Sequence, residues 1–182
     1  MDDKPRSVYT RGAENGLLLG PLMAGTCLLL GLCAYHAWAV IPFAVLAFAV
    51  PAALYVMLGR AYREDRRAST LAALWLQGIC GFFFGGLLMA LVVYAALRWA
   101  FPSFIYDQAR MVVDLYGSMD NPDAREVARV MERAVRAHAL PSPMEVALEL
   151  LYFVVFTGSL LSVIFAAVIR RRGRRTPPPF NS

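Results

Sequence analysis

Glu149 and Gln77 are the two polar side chains whose type and setting could support chemistry inside a membrane. Glu149 follows Glu145 by about one helical turn, and Tyr152 follows about one turn later. An acidic group at membrane depth points to ion or proton handling, because hydrocarbon penalises its charge. Glu149 nevertheless falls within the first two turns of its predicted helix. The helix dipole and an ion pair with Arg98 or Arg110 would explain it structurally. Gln77 lies within an apolar stretch, where an amide usually bonds a neighbouring helix. Thr157, Ser159 and Ser162 can return their hydroxyls to their own backbone.

Other chemistries lack their residues. Cys27, Cys33 and Cys80 all fall in apolar runs, their number is odd, and no Cys-x-x-Cys pair occurs. They read as small hydrophobes rather than as a disulfide or zinc framework. His36 and His138 are the two histidines, and neither has metal-ligand spacing around it. No nucleophile–base pair, phosphate-cradling glycine loop with its lysine, or His-Glu-x-x-His motif is present. The expectation is a non-enzyme without cofactor or metal.

The elements that position these residues follow from charge. No charged side chain occurs from Asn15 to Gly59, from Ala68 to Leu97, or from Leu150 to Ile169. One membrane crossing takes about 20 mostly apolar residues as helix. The first run holds two crossings and the others one each. The fold class is therefore an all-α membrane protein with four transmembrane helices, over about 16–35, 41–57, 71–99 and 143–169. Composition agrees, with 59% hydrophobic and 17% charged residues against roughly 45–50% and 25% in soluble domains. The first run lacks a suitably placed small-residue cleavage site, so it reads as a retained span. A single membrane domain over 1–182 is expected. Within it, Pro51 should kink the second helix, and Trp75 and Trp99 bracket the third as an aromatic belt would.

Twelve basic residues, Lys4, Arg6, Arg11, Arg60, Arg63, Arg66, Arg67, Arg170, Arg171, Arg172, Arg174 and Arg175, fall on one side of this topology. The positive-inside rule makes that side cytoplasmic, with both termini on it. Segment 101–143 is then extracytoplasmic. Residues 170–182 form a basic tail containing prolines. The net charge of +5 follows from this topology, so nucleic acid is not an expected partner. In segment 101–143, Asn121 should cap a helix with Pro122 in its first turn. Val127, Val130, Met131, Ala134 and Val135 recur at helical spacing. The opposite face, with Arg125, Arg129 and Arg136, is the expected partner surface.

The third helix carries Gly78, Gly81 and Gly85, and the first carries Gly16 and Gly20. Such residues let helix backbones approach closely in lipid. Packing of the first helix on the third within one chain and a homodimer through this face are equally good readings.

Several stretches together resemble a family of small bacterial membrane proteins named only as domain of unknown function four-one-nine-nine. They are Asn15-Gly16-Leu17-Leu18-Leu19-Gly20, Ser69-Thr70-Leu71-Ala72-Ala73, the glycine-rich 78–86, the charged segment after Phe101-Pro102, and Gly158-Ser159-Leu160-Leu161. The resemblance implies four helices and an inner-membrane location. It implies no activity and carries over no functional residue. Two readings of function follow. One is an accessory or scaffold subunit that meets the bilayer and another membrane or periplasmic protein. The other is a small transporter or lipid-handling protein using Gln77 and Glu149.

Overall fold

The computed structural model describes residues 7–64 and 69–175. Lys4, Arg6, Arg66, Arg67 and the prolines 177–179 lie outside the described residues. The described chain forms α1 (Val8–Cys33), a 3-10 turn (Ala37–Ala39), α2 (Val40–Glu64), α3 (Leu71–Ala95), a π-helical turn (Ala96–Ala100), α4 (Phe104–Gly117), α5 (Pro122–Arg136) and α6 (Pro143–Arg175). Four helical stretches among the described residues are long and apolar enough to cross a membrane. They correspond to the four expected spans.

The chain divides into two compact units, Met1–Leu91 with Leu150–Ser182, and Val92–Glu149. In the first, contacts fix the direction of each helix. Gly12 of α1 lies against Cys80 of α3 and Gly20 against Leu88, so α1 and α3 run parallel. Gly78 lies against Ser162 of α6 and Gly86 against Leu151, so α3 and α6 run antiparallel. Arg11 near the start of α1 reaches Glu64 at the end of α2, 3.6 Å away. The helices therefore alternate in direction, which brings Arg11, Arg60, Arg63, Arg170, Arg171 and Arg172 to one end of this unit.

The helices of this unit run past their expected bounds at that end. α1 begins at Val8 rather than Gly16, with the Ser7 hydroxyl accepting from the Thr10 amide at 3.2 Å. Arg11 and Glu14 leave the hydrocarbon without stopping the helix, because charge ends a span but not a backbone hydrogen-bond ladder. α2 and α6 likewise continue to Glu64 and Arg175. Pro21 lies inside α1 as Pro51 lies inside α2. Each removes one backbone donor. At the opposite turn the rings of His36 and Trp38 stack at 6.2 Å. On α2 the buried side chains are Leu54, Leu58 and Ala61, and Val45, Phe48 and Val56 are exposed.

The second unit holds the α4–α5 hairpin. Ala109, Ala124 and Ala128 are its buried small residues. The Tyr106 hydroxyl donates to the Val135 carbonyl at 3.1 Å and ties α4 to the end of α5. Asn121 caps α5 by accepting from the Asp123 amide at 3.0 Å. A reciprocal capping box opens α6: the Glu145 amide donates to the Ser142 hydroxyl, and the Ser142 amide donates to the Glu145 carboxylate at 2.6 Å.

Candidate functional site

Several glycines of the first unit sit where helices approach closely. A Cβ on Gly16 would stand 2.6 Å from the Phe84 Cβ and 3.0 Å from the Gly85 nitrogen. One on Gly85 would stand 3.2 Å from both the Gly16 oxygen and the Gly20 nitrogen. Such approach places backbone against backbone, which only glycine permits. Gly81 is looser, its nearest neighbours at 3.7 Å. Gly12 extends the α1 series by one turn against Cys80. Its spacing to Gly16 was readable, but a helix starting at Gly16 leaves it out. Further up the same pair, the Cys27 thiol lies 3.4 Å from the Met89 sulfur. On the α6 side, Gly78 receives Ser162 and the Phe82 ring lies over Gly158. Ser162 returns its hydroxyl to the Gly158 carbonyl at 2.7 Å.

Gln77 is 5% exposed, and its backbone oxygen faces Gly12. It sits among packed helix residues. Trp75, expected at a membrane boundary, also donates its indole N–H to the Ser159 hydroxyl at 3.3 Å and joins α3 to α6.

In the second unit Glu149 is exposed on α6. The expected ion pair is not formed: among the described residues Glu149 meets neither Arg98 nor Arg110 within salt-bridge distance. The Arg110 guanidinium instead stands 5.4 Å over the Tyr106 ring, a cation–π arrangement that uses the aromatic face as the anion substitute.

The arginines of the expected partner surface are partly engaged. Arg125 pairs with Asp120 at 2.6 Å and Arg136 with Glu132 at 2.5 Å. Arg129 is exposed, and its carbonyl accepts from the Arg133 side chain at 3.4 Å. The apolar face of α5 is divided. Ala124 and Ala128 are buried, whereas Val127 and Val130 are exposed, Val130 by 52%. On α4, Met111 and Leu115 are exposed one turn apart, Leu115 by 54%. Helical spacing alone marks all these positions as one apolar side. Only packing separates those the hairpin covers from those it leaves open.

A cleft of about 290 Å³ lies between α2 and α6. Tyr55, Arg63 and Arg172 contribute its polar wall. Among the described residues, no group of three or more His, Cys, Asp or Glu side chains is placed to hold a metal ion.

A protein-family model described as "Protein of unknown function (DUF4199)" matches residues 15–171. No curated protein and no solved structure matches the chain.

Proposed function

Because the chain belongs to the DUF4199 family, whose description states no activity, we propose that it is a non-catalytic accessory or scaffold protein of a bacterial inner membrane, acting through its α4–α5 hairpin. One observation carries this reading. The hairpin has its own buried alanines and its own caps, yet exposes Met111 and Leu115 on one helix and Val127 and Val130 on the other. Exposed apolar stripes flanked by charge suit a protein contact. Helices in bundles are commonly joined by about 2–8 residues, so a charged helical hairpin exceeds what joining α3 to α6 requires. Arg125, Arg129 and Arg136 then form the polar rim of the contact, and such rims carry less of the binding energy than an apolar centre.

The arginines gathered at one end of the four-span unit support a cytoplasmic position for both termini. The hairpin segment then lies outside the cytoplasm, where its partner is a membrane or periplasmic protein.

The test is co-purification after gentle detergent extraction. Leu115→Ser combined with Val130→Ser should remove the partner while leaving the membrane level unchanged, because both side chains are already exposed. Charge reversal at Arg129 and Arg136 should weaken recovery less. If Glu149→Gln abolishes complementation of a deletion strain while the hairpin variants complement fully, the scaffold reading fails and the transport reading replaces it.

A further inference from the structure

The cleft between α2 and α6 lies wholly within the four-span unit, at the end that gathers its arginines. Its construction differs from ordinary helix packing. Gly59 on α2 and Gly173 on α6 leave out two side chains. The Tyr62 hydroxyl would stand 2.5 Å from a Cβ on Gly173, so the tyrosine occupies that gap. Next to Gly59 the nearest atom to an added Cβ is the Arg63 guanidinium, at 3.9 Å. The floor is apolar, from Val56 and Ile169. Toward the membrane interior it is backed by the edge-to-face pair of Tyr55 and Phe165, with centroids 5.6 Å apart.

The polar wall carries two positive charges. Arg172 donates one N–H to the Tyr55 hydroxyl at 3.0 Å. Arg63 donates its Nε–H to the Gly59 carbonyl at 3.3 Å. These bonds fix both side chains and use one of the five N–H donors of each guanidinium. Among the described residues neither arginine is paired with a carboxylate; nearby Glu64 is engaged by Arg11. Among the described residues, no carboxylate compensates these two arginines over the apolar floor.

We propose that this cleft binds the phosphate of an anionic phospholipid headgroup, with the acyl chains descending past the exposed Val56. Guanidinium forks match phosphate oxygens in bidentate geometry. Basic pockets between membrane helices suit anionic headgroups. A volume of about 290 Å³ lies just below the usual ligand-site range and suits a headgroup rather than a large soluble ligand. A zwitterionic headgroup would bring its ammonium beside the same arginines, so the site selects lipids without one. The site is independent of the hairpin and of the proposed partner.

The experiment uses the full chain in nanodiscs of phosphatidylcholine, with and without phosphatidylglycerol, read by native mass spectrometry and by the thermal midpoint. Wild type should retain one phosphatidylglycerol per chain through delipidation and melt higher in its presence. Arg63→Gln with Arg172→Gln should lower that retention about tenfold, as expected for losing charge-assisted hydrogen bonds. Arg60→Gln with Arg170→Gln removes the same charge from the same end outside the cleft and should preserve the bound lipid. Gly59→Leu fills the cleft, keeps every charge and improves helix propensity; it should also lose the lipid. That variant decides the matter if the double arginine variant fails to fold. Equal losses in the two arginine pairs, or full retention by Gly59→Leu, would overturn the proposal. So would equal stabilisation by inorganic phosphate in phosphatidylcholine alone, which would assign the cleft to a soluble anion.

Discussion

Gly85 of α3 faces the backbone of Gly16 of α1 so closely that a Cβ there would meet the Gly16 carbonyl oxygen at 3.2 Å. A Cβ on the neighbouring Gly81 would stand 3.7 Å from its nearest atoms, an ordinary contact. The two ends of this Gly-x-x-x-Gly pair should therefore respond differently to one methyl group. Gly85→Ala pushes against backbone, which cannot rotate away, and should cost about 1–3 kcal/mol, the usual range for overpacking. Gly81→Ala meets ordinary contacts and gains helix propensity, so its effect should be within about 1 kcal/mol and stabilising. Thermal unfolding in detergent, followed by size-exclusion recovery, measures the contrast. Equal losses at both positions would mean that α3 shifts as a rigid body and the local distances do not control the packing.

The Ser142–Glu145 box gives a second prediction. Ser142→Ala removes the acceptor for the Glu145 amide and should cost about 1 kcal/mol, typical for loss of an N-cap. Glu145→Ala removes the reciprocal bond to the Ser142 amide. Combining the two should cost less than the sum, since each bond positions the partner of the other. Hydrogen exchange at the Glu145 and Val146 amides would report the fraying. Additive losses would show that the two bonds act independently.

These two cases separate what a sequence can tell from what it cannot. A capping box needs residues three apart, and Ser142 with Glu145 is legible because both ends are local. The four spans are legible because three long uncharged runs have no other stable home. The start of α1 at Val8 was hidden by Arg11 and Glu14, since hydropathy marks the edge of hydrocarbon and not the end of a helix. The glycines of α1 and α3 announced a close contact without naming its partner. The α2–α6 cleft was not legible at all. It requires Gly59 and Gly173 to line one cleft and Tyr55 to meet Arg172, and nothing local connects those pairs. Likewise, helical spacing grouped Val127 with Met131, although tertiary packing leaves Val127 exposed and half-buries Met131.

Topology gives a third prediction. In a background with Cys27, Cys33 and Cys80 replaced by alanine, single cysteines at Asp120 and Thr176 can be labelled with an impermeant thiol reagent. Asp120, in the loop between α4 and α5, should label in cells with a permeabilised outer membrane. Thr176, following the arginine-rich end of α6, should label only after lysis. The expectation rests on arginine segregation. The reverse pattern would put the hairpin in the cytoplasm and move its partner there.

His138 gives the last prediction. It has φ of 52°, the left-handed region, and is the only non-glycine among the described residues that does. The cause is the end of α5. The Ala139 amide donates back to the Ala134 carbonyl at 2.9 Å, and the His138 amide to the Val135 carbonyl at 3.3 Å. This is the Schellman pattern, whose left-handed position normally takes glycine. A side chain there crowds the carbonyl oxygen and costs roughly 1–2 kcal/mol. His138→Gly should therefore stabilise the hairpin by about 1 kcal/mol, with slower exchange of the Ala139 amide. His138→Ala retains the backbone strain and should give no such gain. If His138→Gly instead destabilises the hairpin, the imidazole makes a favourable interaction that outweighs the strain.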